Sequence, residues 1–279
     1  MVSSDDNPET FFRNIIQDQN AERWQGLEKR LQPTVIINEV SLPRHGFRDH
    51  LLNDLAGRRG TKKVKIDAIL VDVSTKSIAA RLINRVTLED HPNAFEYQEI
   101  VLANFADNLL STWQTVRDED RLRNRAPAAP STPLSSSSSN SQLSSLKTSA
   151  ELKSFYRSYI KSINEKTMTQ EFDKFCQAKL KHNNRELTVA EYIPLISDSQ
   201  DAIQGLHFNV QELFADEKTQ QIVTRLEFTG TPVKEWGGAK PNGKSVKFHE
   251  HVMYQLEHGR ISRVWSTIEL DVYRNQMGK

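Results

Sequence analysis

Apolar residues recur at three- and four-residue spacing near both the start and the middle of the chain. Leu152, Phe155, Tyr156, Tyr159, Ile160 and Ile163 trace one face of an amphipathic helix. Near the start, Asn7-Pro8 supplies an N-cap and a first-position proline ahead of Phe11, Phe12, Ile15 and Ile16, a second helix entry. The capping pair Thr188-x-x-Glu191 predicts a short helix over 188–198, with a counterpart at 44–57. The period then drops to two. Val64, Ile66, Ala68 and Leu70 alternate with polar residues, as do positions 208–214 from Phe208 to Phe214. Strands are predicted next at 77–87 and 221–230, at 95–105 and 246–257, and at 109–117 and 261–269. The last pair is joined by Glu257-His258-Gly259-Arg260, a tight hairpin signal. Helices followed by an antiparallel meander are an α+β layout. One curved antiparallel sheet wrapped on N-terminal helices leaves a cone with an open mouth, a natural small-molecule pocket.

Every one of these elements occurs twice. Sliding residues 11–88 by 144 positions lays Phe11 on Phe155, Ile16 on Ile160, Ile78 on Ile222 and Arg81 on Arg225 without a gap. After a seven-residue insertion the match resumes, with Tyr97-Gln98-Glu99 over Phe248-His249-Glu250 and Trp113 over Trp265. Solenoid units run to about 20–50 residues, so this is a duplicated domain. Two tandem cone-shaped domains are predicted, 1–120 and 148–279. Between them, 121–147 is a flexible linker whose Ser/Pro/Ala-rich stretch 126–146 has too few apolar groups to offset ordering entropy. What both copies keep reads as scaffold, and what one alone carries is a candidate for chemistry.

Composition narrows the function classes. With 37 basic and 36 acidic residues the net charge is +1, which gives no electrostatic case for nucleic acid or an anionic membrane. No apolar run is long enough to cross a bilayer, and the N-terminus lacks the pattern of a secretory signal. A cytoplasmic protein is expected. The single cysteine, Cys176, excludes an internal disulfide and reads as a small packing residue beside Phe172 and Phe175.

Residues 181–193, Lys-His-Asn-Asn-Arg-Glu-Leu-Thr-Val-Ala-Glu-Tyr-Ile, resemble the helix–loop–helix entry of SnoaL-like polyketide cyclases and the related ester cyclases. Residues 243–268 resemble that family's last hairpin, and Trp265-x3-Glu269-x6-Gln276 is similar to its W-x3-D-x6-Q ending. The resemblance covers the second copy and, more faintly, the first. It implies the cone-shaped α+β superfamily that includes scytalone dehydratase and ketosteroid isomerase. It also implies closing, isomerising or dehydrating small metabolites without a cofactor, by pocket carboxylates and histidines. Other members of such a fold only bind or assemble. Tandem copies imply an intramolecular pseudo-dimer and leave room for further homo-oligomerisation.

The candidate site residues follow. Glu250 and Arg225 have partners in Glu99 and Arg81. They read either as a structural ion pair on neighbouring strands or as a general base, Glu250, tuned by burial against Arg225. His182, laid over Asn38, reads as a capping residue or, by its motif position, as the preferred proton carrier, because imidazole titrates near neutrality. Asn183, beside it, is a substrate-binding candidate. Glu269, laid over Arg117, is an acid private to the second copy and a secondary acid/base candidate. Phe248, Tyr254 and Trp265 either pack the sheet or form an aromatic substrate wall, and parity puts Phe248, Glu250, Val252 and Tyr254 on one inward face. His249 and His251 face the other way. Two ligands fall short of a metal site, and a solvated or interface-facing pair fits them better. The insertion 231–244, with Trp236-Gly237-Gly238, reads as a lid or a long hairpin.

The expected activity is that of a cofactor-independent cyclase, isomerase or dehydratase acting on a polyketide- or terpenoid-like molecule, seated in residues 148–279. His182 and Glu250 would move protons, aided by Glu269, with no metal. A non-catalytic binding or assembly module of the same fold is the alternative.

Overall fold

The computed structural model describes residues 7–55, 57–91, 93–130 and 146–278. The chain divides into two compact units, Met1–Pro133 and Leu134–Lys279, each an α+β fold. In the first, α1 (Pro8–Asn20) and α2 (Trp24–Glu28) precede a hairpin of β1 (Leu31–Ile37) and β2 (Val40–Pro43). Next come α3 (Arg44–Leu52), four long strands β3 (Gly60–Asp72), β4 (Ser77–Leu88), β5 (Phe95–Ala106) and β6 (Leu109–Arg117), and α4 (Glu119–Arg123). The second repeats this as α5 (Ser149–Asn164), α6 (Met168–Phe175), β7 (Cys176–His182), β8 (Arg185–Thr188), α7 (Val189–Ala202), β9 (Ile203–Asp216), β10 (Gln221–Pro232), β11 (Val246–Glu257), β12 (Arg260–Ile268) and α8 (Leu270–Gln276).

Each sheet has six strands, ordered β2-β1-β6-β5-β4-β3 and β8-β7-β12-β11-β10-β9. The meanders are antiparallel, as the period-two pattern predicts. The hairpins β1–β2 and β7–β8 are additions that the pattern misses, and each lays its first strand parallel to the last strand of the meander. Residues 181–193, expected as a helix–loop–helix entry, are the end of this hairpin and the start of α7.

Local chemistry explains the joints. Thr148–Glu151 and Thr188–Glu191 both close as reciprocal capping boxes, starting α5 and α7. At the helix C-termini, the Asn20 side chain brackets the backbone N–H and C=O of Val64, and Asn164 does the same to Phe208. These pairs tie the first helix of each unit to its first long strand. Residues 126–130, at the start of the expected linker, close on the first unit. Ala126 O accepts from Glu96 N at 2.8 Å, and Pro130 O accepts from Arg81 at 2.6 Å. Residues 121–123 of the expected linker are the end of α4, and its residues 131–145 lie outside the described residues. Among the described residues no helix is long and apolar enough to cross a membrane.

The helices pack on the concave face of each sheet. In the second unit that core includes Leu152, Tyr156, Tyr159, Phe172, Leu180, Phe208, Phe228 and Phe248. Full burial of one such side chain is worth roughly 1.5–3 kcal/mol. Cys176 belongs to this core, where burial and nearby Asp173 push its thiol up to about 12.

Candidate functional site

The concave face of the second unit does not fill completely. A cavity of about 380 Å³ remains between α5, α7 and the sheet. Strand alternation sets its lining. Phe248, Glu250, Val252 and Tyr254 reach it from β11, Val264, Ser266 and Ile268 from β12, and Leu226 and Phe228 from β10. Tyr159 enters from α5, Tyr192 from α7, and His182, Asn183 and Arg185 from the β7–β8 hairpin. Asn184, Arg185 and Leu195 are lining residues exposed to solvent, and they mark where the cavity opens.

Glu250 is the carboxylate of this cavity. Burial pushes its pKa up to about 7, against the lowering effect of a hydrogen bond from Ser266 Oγ to its Oε1. His182 moves the other way: burial, then the charge of Arg185, lowers it to about 4. That shift favours the neutral imidazole at pH 7. Hydroxyls complete the polar lining. Tyr159 and Tyr192 pair at 3.0 Å, and the His182 ring lies 5.8 Å from that of Tyr192. Burial raises both tyrosines well above their usual value, so they remain neutral hydrogen-bonding groups.

Of the residues singled out from the sequence, His182, Asn183, Phe248, Glu250 and Tyr254 surround this one cavity. Three others lie elsewhere. Arg225 is one residue out of phase with Glu250: Leu226 sits opposite Glu250, and Arg225 opposite His251. It therefore points to the other face of the sheet, where its Nη1 donates to His251 Nε2 at 2.9 Å. The first unit repeats the separation. Arg81 pairs with Asp67 and Gln98, whereas Glu99 accepts from Asn84 and Thr115. Arg225 and Glu250, like Arg81 and Glu99, therefore lie on opposite faces of their sheets and do not pair with each other.

Trp265 also points away from the cavity, beneath the guanidinium of Arg263, because its neighbours Val264 and Ser266 take the inward positions of β12. Glu269 caps the start of α8 and holds His249, accepting from its backbone N–H and from Nδ1, both at 2.9 Å. Burial pushes Glu269 up, but His249 and Arg225 outweigh this and hold it below the usual carboxylate range. His249 and His251 are buried and not solvated.

Two equivalences between the copies shift by one residue. Asn38 N donates to Trp113 O, and Asn183 N to Val264 O. The side chain of Asn38 brackets Thr115 and that of Asn183 brackets Ser266, each through both backbone groups. Asn38 therefore corresponds to Asn183, Ile37 to His182, and Trp113 to Val264. The amide of Asn183 is committed to β12, a scaffold role that both copies keep. Likewise Asp118 N donates to Gln98 O as Glu269 N does to His249 O, so the acid at 269 has a counterpart and is not private to the second copy.

Trp236, noted in the sequence as part of the insertion 231–244, is a wall residue of the cavity. Its ring lies tilted against Phe248 at 5.8 Å and meets Tyr273 edge-on at 5.0 Å, and Arg274 Nε donates to Gly237 O in the same loop at 2.7 Å. The insertion is a fixed part of the cavity wall in this structure. Tyr159, Tyr192 and Ser266 were missed, since the helical pattern marks the tyrosines only as core and nothing marks a serine.

Residues 153–276 match the family model described as SnoaL-like polyketide cyclase. No curated protein matches the chain. Among solved structures, it is similar to a SnoaL-like polyketide cyclase from Agrobacterium tumefaciens. The two are 29% identical over 46% of this chain and 98% of that one, with a TM-score of 0.42. It is also similar to TsrD from Streptomyces laurentii, at 18% identity, 46% and 96% coverage and a TM-score of 0.43. An epoxide hydrolase from M. tuberculosis of the LEH-like type matches at 12% identity, 42% and 83% coverage and a TM-score of 0.35.

Proposed function

We propose that the second unit, whose residues 153–276 match the family model described as SnoaL-like polyketide cyclase, is a cofactor-independent cyclase, isomerase or dehydratase working by proton transfer on a small, largely apolar metabolite. The observation that supports this reading is the placement of the Glu250 carboxyl on the wall of a mostly apolar cavity open at one end, where burial pushes its pKa up to about 7. As carboxylate, Glu250 takes a proton from an enolisable carbon; as acid, it returns the proton to carbon or to a leaving oxygen. Ser266 Oγ, donating to Oε1, fixes which oxygen is free to act. His182 and the Tyr159–Tyr192 pair supply neutral donors and acceptors for a carbonyl or enol oxygen. Apolar walls from Leu226, Phe228, Phe248 and Trp236 keep water from competing.

The test is deuterium exchange into an aromatic β-keto ester in D2O. Wild type is expected to exchange the α-proton with a rate that rises through about pH 7. Glu250→Gln should lose about a hundredfold or more while keeping its fold and its affinity for the ester. Exchange by the variant at the wild-type rate would overturn the assignment, and exchange by neither protein together with tight binding would favour a binding module.

A further inference from the structure

The lining of the second cavity carries one cation, Arg185, and the mechanism above does not use it. Arg185 stands one step beyond the turn of the β7–β8 hairpin, opposite His182 in the ladder. It lines the cavity where the cavity opens and is exposed. Among the described residues it forms no ion pair and no side-chain hydrogen bond. Its charge is felt by His182 within and by Glu191 at the start of α7, yet neither binds it.

The duplication adds an independent observation. With Asn38 matched to Asn183, the position of Arg185 in the first unit is Val40, an exposed apolar residue. Three polar residues that face the cavity change in the same way, Tyr159 to Ile15, Tyr192 to Phe47 and His182 to Ile37, while Glu250, Ser266 and Asn183 keep polar counterparts in Glu99, Thr115 and Asn38. The arginine is thus present in the unit whose cavity is lined by His182 and the two tyrosines and is replaced by valine in the unit where those positions are apolar. A structural need of the hairpin does not explain it, since the same hairpin forms with valine.

We propose that Arg185 anchors an anionic group of the ligand at the mouth, so that the second unit selects apolar small molecules bearing a carboxylate at one end. Its planar fork of donors matches a carboxylate through two parallel hydrogen bonds. Glu250 then faces the part of the molecule held deeper in the cavity. This deepens the catalytic reading, and rests on it only in using the same cavity.

The experiment is calorimetric titration of the full chain with 2-naphthoate and with methyl 2-naphthoate. At about pH 6 the probe acid is ionised, while Glu250 is largely protonated and does not repel it. Arg185→Gln is expected to weaken naphthoate about tenfold and to leave the methyl ester nearly unchanged. Arg185→Lys should restore part of the loss, since a point charge lacks the bidentate geometry. Naphthoate affinity unchanged in Arg185→Gln, equal weakening of acid and ester, or no saturable naphthoate binding to wild type would each overturn the proposal. Glu250→Gln separates the two readings: it should retain the acid-over-ester discrimination even where proton exchange is lost. Failure of the exchange assay therefore leaves the anchor standing or falling by itself.

Discussion

The interiors of the two cones start from one architecture and end differently. In the second, Tyr159, Tyr192 and His182 surround open space. At the matching positions the first has Ile15, Phe47 and Ile37, and Trp113 stands where the second has Val264. The Trp113 ring stacks on Phe12 at 5.7 Å and meets Phe47 edge-on at 5.5 Å, fully buried. One substitution of a small residue by an indole, with its apolar neighbours, turns a lined cavity into a packed core. Both units nevertheless keep a buried glutamate on the inward face. Glu99 has Asn84 on one oxygen and Thr115 on the other, while Glu250 faces the cavity. A carboxylate at this position is therefore compatible with scaffold, and the space in front of it makes the difference.

Exchanging the residues at this one position should break the contrast most strongly. Val264→Trp is expected to plug the second cavity and reduce naphthoate or ester binding about a hundredfold, while the fold persists, since the indole enters existing space. The reciprocal Trp113→Val should destabilise the first unit by about 3 kcal/mol, through lost burial plus the void left behind. Titration calorimetry and urea unfolding read the two effects. Ligand binding by Val264→Trp at wild-type strength would mean that the cavity is not the ligand site.

The titrating groups give a second contrast, with signs that oppose. Glu250 is raised from 4.5 to about 7, so the folded state holds its proton more tightly. That contribution is fully present below pH 4.5 and is lost as pH rises through about 7. His182 is lowered from 6.5 to about 4, so the folded state resists protonation. Its contribution is present above 6.5 and disappears as pH falls through about 4. Over the shared window they offset one another in the wild type. Glu250→Gln should expose stability that climbs from pH 4 to 6.5, and His182→Gln stability that declines from 4.5 to 7, each by up to about 3 kcal/mol. Flat profiles in both variants would show that neither group is perturbed.

How far the sequence could be read follows from the same period-two geometry. The amphipathic face of α5, both meanders and the duplication all rest on periodicities that survive small errors of alignment. Site residues do not survive them. A slip of one residue carries a strand position to the opposite face, and matching the identical tryptophans hid that Val264, not Trp265, is the counterpart of Trp113 and the lining residue. The same slip set His182 against Asn38 and Glu269 against Arg117. The Arg225–Glu250 pair failed for a related reason. Adjacent strands fix that two residues are neighbours, but the cross-strand register decides whether they share a face, and Leu226 opposite Glu250 cannot be read from spacing. The β7–β8 hairpin was hidden because its exposed strands carry mostly polar residues, Gln177, Lys179, Lys181 and Glu186, with no apolar alternation to mark them.

The smallest expected effect tests the scaffold side of the comparison. Asn38 and Asn183 both sit at positive φ, 45° and 51°, a region that asparagine tolerates better than most residues. Each spends its amide on both backbone groups of a neighbouring strand. Replacement by alanine removes two hydrogen bonds and adds backbone strain, about 2 kcal/mol together. Asparagine-to-glycine removes the bonds without the strain and should recover roughly half of that loss. If the residue is pure scaffold, Asn38→Ala and Asn183→Ala should destabilise their units alike, with the affinity of Asn183→Gly for methyl 2-naphthoate close to wild type. A loss of affinity in Asn183→Gly larger than its loss of stability would instead give the amide of Asn183 a direct part in holding the ligand, and would move it from the shared frame to the private chemistry of the second cavity.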